Sequence, residues 1–546
     1  MFQEILKKIK PRKYQEDIYN TCVEKNCLII LPTGIGKTLI ALMLTIQRQK
    51  KYPKTKVLFL APTRPLAEQH LKYFTKHLPE LFAEMTLFTG KTIAKKRKEL
   101  WEKSDIIFST PQCIQNDLKN NLYTLEDVSL LIEDECHRCL KNYAYTYIAE
   151  KYKEQAKNLR IIGMTASPGT DKKTIEQIAK SLNIEAIELR TRESPDVKEY
   201  LQELEFSVVK LELTEDIKKV VEIIKKIFEK KIEELKNRKL LFQPPTKINL
   251  LKLQSSLIEQ ASLGNKHFNI LSGASACSQA IKISHLIELI ETQTLHSSLC
   301  YIKDLYEQAN KNKSKAVKQL TKNQEFNKAY IILNELVSKN IEHPKINELI
   351  KIIEKDILEN PKNKSIIFTQ YRETALKITN EIKKIPNIKA SIFIGQSKKR
   401  KTGLSQKEQQ KIIEDFKNGI INVIVATSIG EEGLDIPEVN SVIFYEPIPS
   451  AIRRIQRAGR TARLMKGKLI ILMTIDTLDQ AYYYASIGKE RKMHRAIHSI
   501  KQELENKIKI DENNYEKYSE EKKIEEEDLI KEKNNKQKKL FDIFKK

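Results

Sequence analysis

The sequence predicts an α/β protein: two parallel-sheet domains, an all-α domain inserted between them, and a disordered, charged C-terminal tail. Three observations carry this expectation. Short apolar runs alternate with helical stretches from about residue 10 to 200, the pattern of an open parallel sheet. The alternation breaks near Phe206, where long charged amphipathic helices take over without a Gly-rich loop, and it returns at His343. Beyond about Lys501 no apolar period is sustained, and Glu520–Asp528 is acidic, a composition that cannot bury a core. The boundaries read this way are 1–203, 204–342, 343–500 and 501–546.

A chain of 546 residues is long enough for about three or four domains with their own cores. Lys and Arg number 97 against 72 Asp and Glu, a formal charge of +25 that suits a polyanionic partner. The seven cysteines are odd in number and scattered, which argues against a disulfide framework and for a reducing cytosol. Cys136-x-x-Cys139 has no second pair at zinc spacing. No apolar run reaches the ~20 residues of a membrane span, and Met1–Lys10 holds no signal-peptide core. The expected setting is cytoplasmic and nucleoid-associated, with no membrane partner.

In chain order, Arg12 and Gln15 open a helix running towards Asn26. The Gln15 amide offers a donor and an acceptor together, as an adenine edge requires. The apolar run Cys27–Leu31 then leads into Leu-Pro-Thr-Gly-Ile-Gly-Lys-Thr, Leu31–Thr38, and an apolar helical stretch follows. Strand, Gly-containing loop and helix make the phosphate-binding loop of an NTPase. Thr33, Gly34, Ile35 and Gly36 shape the backbone around phosphate oxygens. Lys37 reaches the β- and γ-phosphates, and Thr38 holds Mg²⁺. The motif departs from its usual form at Leu31, where a Gly is expected.

Three later loops share one arrangement, an apolar strand followed by a polar turn and a helix. They are Thr63-Arg64 after Val57–Ala61, Thr89-Gly90-Lys91 after Met85–Phe88, and Ser109-Thr110-Pro111 after Asp105–Phe108. Arg64, Gly90 and Thr110 are therefore candidates for a nucleic-acid backbone track. Strand Ser129–Ile132 delivers Glu133-Asp134-Glu135-Cys136-His137. Downstream of a phosphate loop, Asp134 is placed to hold Mg²⁺ and Glu135 to deprotonate the attacking water. Strand Arg160–Met164 leads to Thr165-Ala166-Ser167, small hydroxyl residues able to link the nucleotide site to a neighbouring surface.

The insert contributes helices over Ile217–Lys236, Leu250–Leu263 and from Ser278 to about Lys339. In the second α/β domain, Ser365–Thr369 precedes Arg372, Ser391–Ile394 precedes Gly395, and Asn422–Ala426 precedes Thr427. This half has no Walker lysine, but it carries Gln456-Arg457-Ala458-Gly459-Arg460-Thr461-Ala462-Arg463. Arg460 and Arg463 are expected to act as arginine fingers on the first domain's γ-phosphate.

The ordered set of Gln15, Leu31–Thr38, Ala61–Gln69, Asp134–His137, Thr165–Ser167, Ile366–Arg372, Val425–Val439 and Gln456–Arg463 resembles the superfamily-two helicases, from Arg12 to about Arg495. The Asp-Glu-Cys-His box and the helical insert between two RecA-like domains narrow the resemblance. It points to the branch of archaeal Hef and FANCM, which act on branched DNA at stalled forks, with the RIG-I-like and Dicer helicases more distant. The resemblance implies an ATP-dependent DNA helicase or translocase in DNA repair, moving 3′ to 5′. It also implies that Arg64, Thr369, Arg372 and Thr427 touch the nucleic-acid backbone. Gly433 and Asp435 would lie beside the nucleotide, and Gln456 would help place the attacking water. A double-stranded-RNA-dependent ATPase is the alternative close in chemistry; a non-catalytic scaffold tethered to a clamp is the alternative of another class.

Two features lie at the C-terminal side. Glu490-Arg491-Lys492 begins like an XPF-type nuclease signature, but Met493-His494-Arg495-Ala496 follows without the Asp. The expectation is a helicase part without that nuclease. Gln537, Leu540, Ile543 and Phe544 resemble the motif that binds the sliding clamp PCNA, with Ile543 in place of the first aromatic.

Overall fold

The computed structural model describes residues 6, 9–264, 267–312, 314–395, 403–427, 437–450, 461 and 466–506. The first sheet has seven parallel strands: β1 (Cys27–Ile30), β2 (Lys56–Leu60), β3 (Met85–Phe88), β4 (Ile106–Ser109), β5 (Val128–Asp134), β6 (Ile161–Thr165) and β7 (Ala186–Leu189). Their spatial order is β3-β4-β2-β5-β6-β1-β7. Every residue of β1, β4, β5 and β6 is buried, which is why these strands read as continuous apolar runs and not as alternating ones. Two apolar layers cover the sheet. One is built around Tyr14, Ile40, Phe59 and Phe74, the other around Ile114, Tyr145, Ile148 and Ile178.

The second sheet has six parallel strands: β8 (Leu204–Leu211), β9 (Ser365–Phe368), β10 (Ala390–Phe393), β11 (Val423–Ala426), β12 (Ser441–Phe444) and β13 (Gly467–Thr474). Their order is β10-β11-β9-β12-β13-β8. Here sequence reasoning needs correction. The boundary at 204 gives Leu204–Leu211 to the insert, yet β8 pairs with β13 at all eight positions, Leu204↔Gly467 to Leu211↔Thr474. A lone strand leaves its backbone groups unpaired, so it completes the edge of the nearest sheet. The insert is helical from Glu215 to Ser338. Its core is formed by Ile217, Ile224, Ile283, Ile290, Leu299 and Phe326 with their neighbours, and a smaller core at its tip includes Leu235, Leu250 and Cys277.

The helix over 478–506 also departs from expectation, because it does more than close the second domain. Its start is held by the second domain and the insert: Leu478 N donates to Glu291 Oε2 (3.2 Å), and Lys489 Nζ to Pro449 O (2.8 Å). Its later part, with Met493, Ala496, Ile497 and Ile500, is buried in the first domain's core beside Ile175, Ile178 and Leu182. Apolar residues at 493, 496/497, 500 and 504 repeat at helical spacing, so they form one stripe. The Glu490-Arg491-Lys492 triplet lies within this helix.

A polar seam fixes the insert to the second domain. Lys345 and Asp479, both wholly buried, form an ion pair. Lys345 Nζ also donates to Thr292 O (3.0 Å), and Asp479 accepts from Thr474 N (3.0 Å). His343, fully buried, donates from Nε2 to Glu291 O (3.1 Å) and accepts from Lys345 N at Nδ1 (3.3 Å). Burial, with Lys345 nearby, pushes the His343 imidazole down to about 3, against the opposing bond to Glu291. The native state therefore keeps His343 neutral, whereas the unfolded chain binds its proton below the ordinary value of about 6.5. Stability from this group is full above pH 6.5 and falls as pH drops towards 3. Glu288 is held down at about 2: burial opposes this, and bonds from His285 and Lys247 outweigh it. Its contribution is lost only below the ordinary carboxylate range. The melting temperature should therefore start to fall near pH 6.5. His343→Gln should flatten the loss between pH 6.5 and 5 while leaving the steeper loss below pH 4.5, as thermal scans across that range would show.

Candidate nucleotide and nucleic-acid site

The loop between β1 and the helix Lys37–Lys51 sits at the carboxyl end of its sheet. Gly34 and Gly36 have φ of 85° and 92°, left-handed conformations that glycine adopts without a Cβ penalty. The Ile35 carbonyl between them is drawn outward, accepting from Tyr14 Oη (2.5 Å) and Gln15 Nε2 (3.2 Å). Gln15 thus clasps the loop itself, and its Oε1 accepts from Arg12 N (2.9 Å), capping the start of its own helix. Arg12 stacks over the Tyr200 ring at 4.9 Å. Lys37 Nζ donates to Leu31 O (2.9 Å), and Thr38 follows it in the helix's first turn.

Two strands away in space, β5 ends in the carboxylates. Asp134 is buried and accepts from His70 Nε2 (2.9 Å), while Tyr145 Oη donates to its backbone oxygen (2.7 Å). Burial alone would raise the Asp134 carboxyl. The His70 bond and charge, joined by Lys37, hold it below its ordinary value. Glu135 has φ 50°, an uncommon conformation for a residue with a side chain and a form of local strain often held at functional sites. Its Oε2 lies 3.3 Å from His137 Nδ1, which is 3.2 Å from Thr165 Oγ1 on the neighbouring β6. Thr33 Oγ1 and Ser167 Oγ are buried without a hydrogen-bond partner. Polar atoms left this way beside a phosphate-loop fold fit a phosphate-bearing ligand and its cation.

The track residues fall together. β3, β4 and β2 are consecutive in the sheet, so Gly90, Thr110 and Arg64 follow neighbouring carboxyl ends on one half of it. Thr63 and Thr110 are the N-caps of the helices Arg64–His77 and Pro111–Lys119, each with Pro in the first turn. In the second domain Thr427 N donates to Phe393 O (3.1 Å), and Arg372 to Gly395 O (3.2 Å), which joins the ends of β9, β10 and β11. Thr369 is a correction. It is fully buried and its hydroxyl donates to Gln293 of the insert (3.4 Å), so it shapes the seam and has no face for a backbone phosphate. Gly433, Asp435, Gln456, Arg460 and Arg463, and the clamp-like Gln537, Leu540, Ile543 and Phe544, lie outside the described residues. Cys136 and Cys139 are buried, and among the described residues no cluster of three or more His, Cys, Asp or Glu side chains is arranged to hold a metal ion. Sequence reasoning missed His70 and Gln293; neither belongs to a local pattern.

A solved protein shares this fold. A crystal structure of the Pyrococcus furiosus Hef helicase domain superposes with a TM-score of 0.68 at 42% identity, covering 88% of this chain and 100% of that one. The chain belongs to the superfamily-two helicases of the Hef and FANCM branch. In these helicase terms, residues 12–175 match the DEAD/DEAH box helicase family and 344–465 the helicase conserved C-terminal domain. Residues 216–341 match a helical-bundle family named for ATP-dependent RNA helicases. A Methanocaldococcus jannaschii protein named as an ATP-dependent RNA helicase is 36% identical over 90% of this chain and 61% of its own length. The Fanconi anemia group M protein homolog of Mus musculus is 30% identical over 90% of this chain and 26% of its own length. The chain thus spans less than two thirds of these curated relatives. No described helix is long and apolar enough to cross a membrane.

The loop geometry yields a direct test. A Cβ on Gly36 would stand 2.2 Å from Gln15 Nε2, at a φ that disfavours any side chain. Gly36→Ala should therefore displace Gln15 and cut nucleotide affinity at least tenfold, read by fluorescent-nucleotide titration. Circular dichroism should show the fold retained.

Proposed function

We propose that this chain is a nucleic-acid-dependent ATPase that translocates on branched DNA and remodels it, as at stalled replication forks. The observation that supports this most is the continuity of one sheet edge. The phosphate loop, Thr165, the Asp134–Glu135 pair and the Arg64–Thr110–Gly90 track follow strands arranged side by side.

In this reading Lys37 leaves the Leu31 carbonyl for the β- and γ-phosphate oxygens. Loop amides of Gly34 to Thr38 surround the phosphates, and Arg12 and Gln15 border the base. Thr38 and Asp134 would hold a divalent cation, which would supply charge neutralisation to the phosphates. Glu135 takes the proton of the attacking water, a role its projecting position after β5 supports. Gln456 orients that water, Arg460 and Arg463 meet the transition-state charge from the second domain, and Gly433 and Asp435 flank the nucleotide. Arg64, Gly90 and Thr110, with Arg372 and Thr427 opposite, grip one strand's backbone. Residues 537–544 provide the clamp contact, and a peptide covering 534–546 should bind the sliding clamp with micromolar affinity.

Turnover measured at one salt concentration with fork DNA, single-stranded DNA, linear duplex and double-stranded RNA tests the reading. Fork DNA should stimulate most. Stimulation by double-stranded RNA alone would favour the RNA-directed alternative, which is the class named for the M. jannaschii relative. Glu135→Gln should bind nucleotide and stop turnover, and Arg463→Ala should lose on the order of 10³-fold. Unchanged turnover in both variants would remove the site.

A further inference from the structure

His70 stands outside every recognised motif role, yet its imidazole touches the carboxylate at the centre of the site. It is buried, and its ring lies against Phe59 of β2 with centroids 4.4 Å apart. That contact fixes the ring plane, leaving Nε2 directed at Asp134 Oδ2, 2.9 Å away. His70 belongs to the helix Arg64–His77, whose first residue is Arg64 and whose N-cap is Thr63. Six residues of α-helix carry the chain about 9 Å along the axis and turn it so that the two side chains project about 120° apart. One rigid element therefore presents Arg64 near the strand-end track and His70 to Asp134. Thr63 Oγ1, buried at the same helix start, has no hydrogen-bond partner.

We propose that His70 is a positioning residue that sets the Asp134 carboxylate from the helix carrying Thr63 and Arg64, so that a phosphate gripped at that helix start is felt at the cation-holding oxygen. The inference rests on the ATPase reading above. With the carboxylate held on Oδ2 by His70, Oδ1 is the oxygen presented to the cation or its water shell. A small shift or rotation of the helix, driven by a phosphate at Thr63–Arg64, moves Nε2 and reorients that oxygen. Nucleic-acid dependence of turnover then has a route through one helix within a single domain, separate from closure of the two domains on each other. A packing role alone would need only a ring of this shape.

The test uses the full chain with His70→Phe, His70→Ala and His70→Gln, since a glutamine amide can reach and donate as Nε2 does. Binding of a fluorescent ATP analogue is measured with Mg²⁺ and with excess chelator, and turnover with and without fork DNA. His70→Phe and His70→Ala should weaken the Mg²⁺-bound form about tenfold and the metal-free form less than twofold. They should also lower the DNA stimulation ratio about tenfold, and His70→Gln should restore both to within about threefold. Equal weakening with and without Mg²⁺, or a Gln variant no better than Phe, would overturn the inference and leave His70 a packing residue. Wild-type protein lacking Mg²⁺-dependent nucleotide binding would instead sink the ATPase reading itself.

Discussion

Three successive carboxylates at the buried end of β5 impose the constraint around which the first domain is arranged. Ionised carboxylates inside a sheet are costly unless each is neutralised or paired. The three residues meet this requirement in three ways. Burial pushes Glu133 up to about 8, opposed by Cys139, so it is mostly protonated at neutral pH and acts as a polar filler. Asp134 stays charged because His70 donates to it and Lys37 stands close by. Glu135 escapes the sheet by a left-handed turn that lifts its carboxylate towards His137. The strand's last two residues and the turn that follows thus supply a neutral core residue, a fixed anion and a projecting anion.

The connections between domains differ in chemistry, and the difference has mechanical meaning. The insert meets the second domain through buried directional contacts: Lys345 with Thr292 O, His343 with Glu291 O, and Gln293 with Thr369 and Thr374. Each such bond is geometry-specific, and leaving any partner unsatisfied is costly, so this seam holds one arrangement. The first domain is joined to the rest by the apolar stripe of the helix over 478–506, packed against Ile175, Ile178 and Leu182. Apolar contact is non-directional and tolerates small sliding. Between the domains lies a cavity of about 540 Å³, lined by Thr33 of the phosphate loop, Phe206 of β8 and Met493 of the joining helix.

What was legible in the sequence follows from how local each signal is. β1, β3, β5 and β9 were readable because continuous apolar runs ending in polar turns are local patterns. Leu31–Thr38 was readable because the backbone conformation it needs restricts residue type at adjacent positions. β8 was misplaced because hydrophobic period identifies a strand and says nothing about which sheet edge receives it, and β13 lies more than 250 residues downstream. Thr369 was misread for a related reason: a Thr after a strand looks the same whether its hydroxyl faces solvent or Gln293. His70 was invisible because its partner Asp134 is 64 positions away and no spacing rule connects them. Gln15, expected to read an adenine edge, has a role that the sequence did not suggest: its amide bonds Ile35 O and Arg12 N within the protein.

That clasp explains why a loop with Leu31 in place of the usual first glycine still has the shape for phosphate. A cradle of amides works only if the carbonyls between them point away from the anion. Ile35 O is the carbonyl at the loop's apex, and Tyr14 Oη and Gln15 Nε2 both pull it outward. With that oxygen held behind the loop, the flanking glycine conformations at φ 85° and 92° turn the neighbouring amides to the other side. Leu31 itself is wholly buried and gives its carbonyl to Lys37 Nζ. The position normally kept free of a side chain is thus used as a core anchor that parks the lysine at the loop. Backbone shape comes from the first helix, side-chain readiness from the buried Leu31, and the loop needs only its two remaining glycines to combine them.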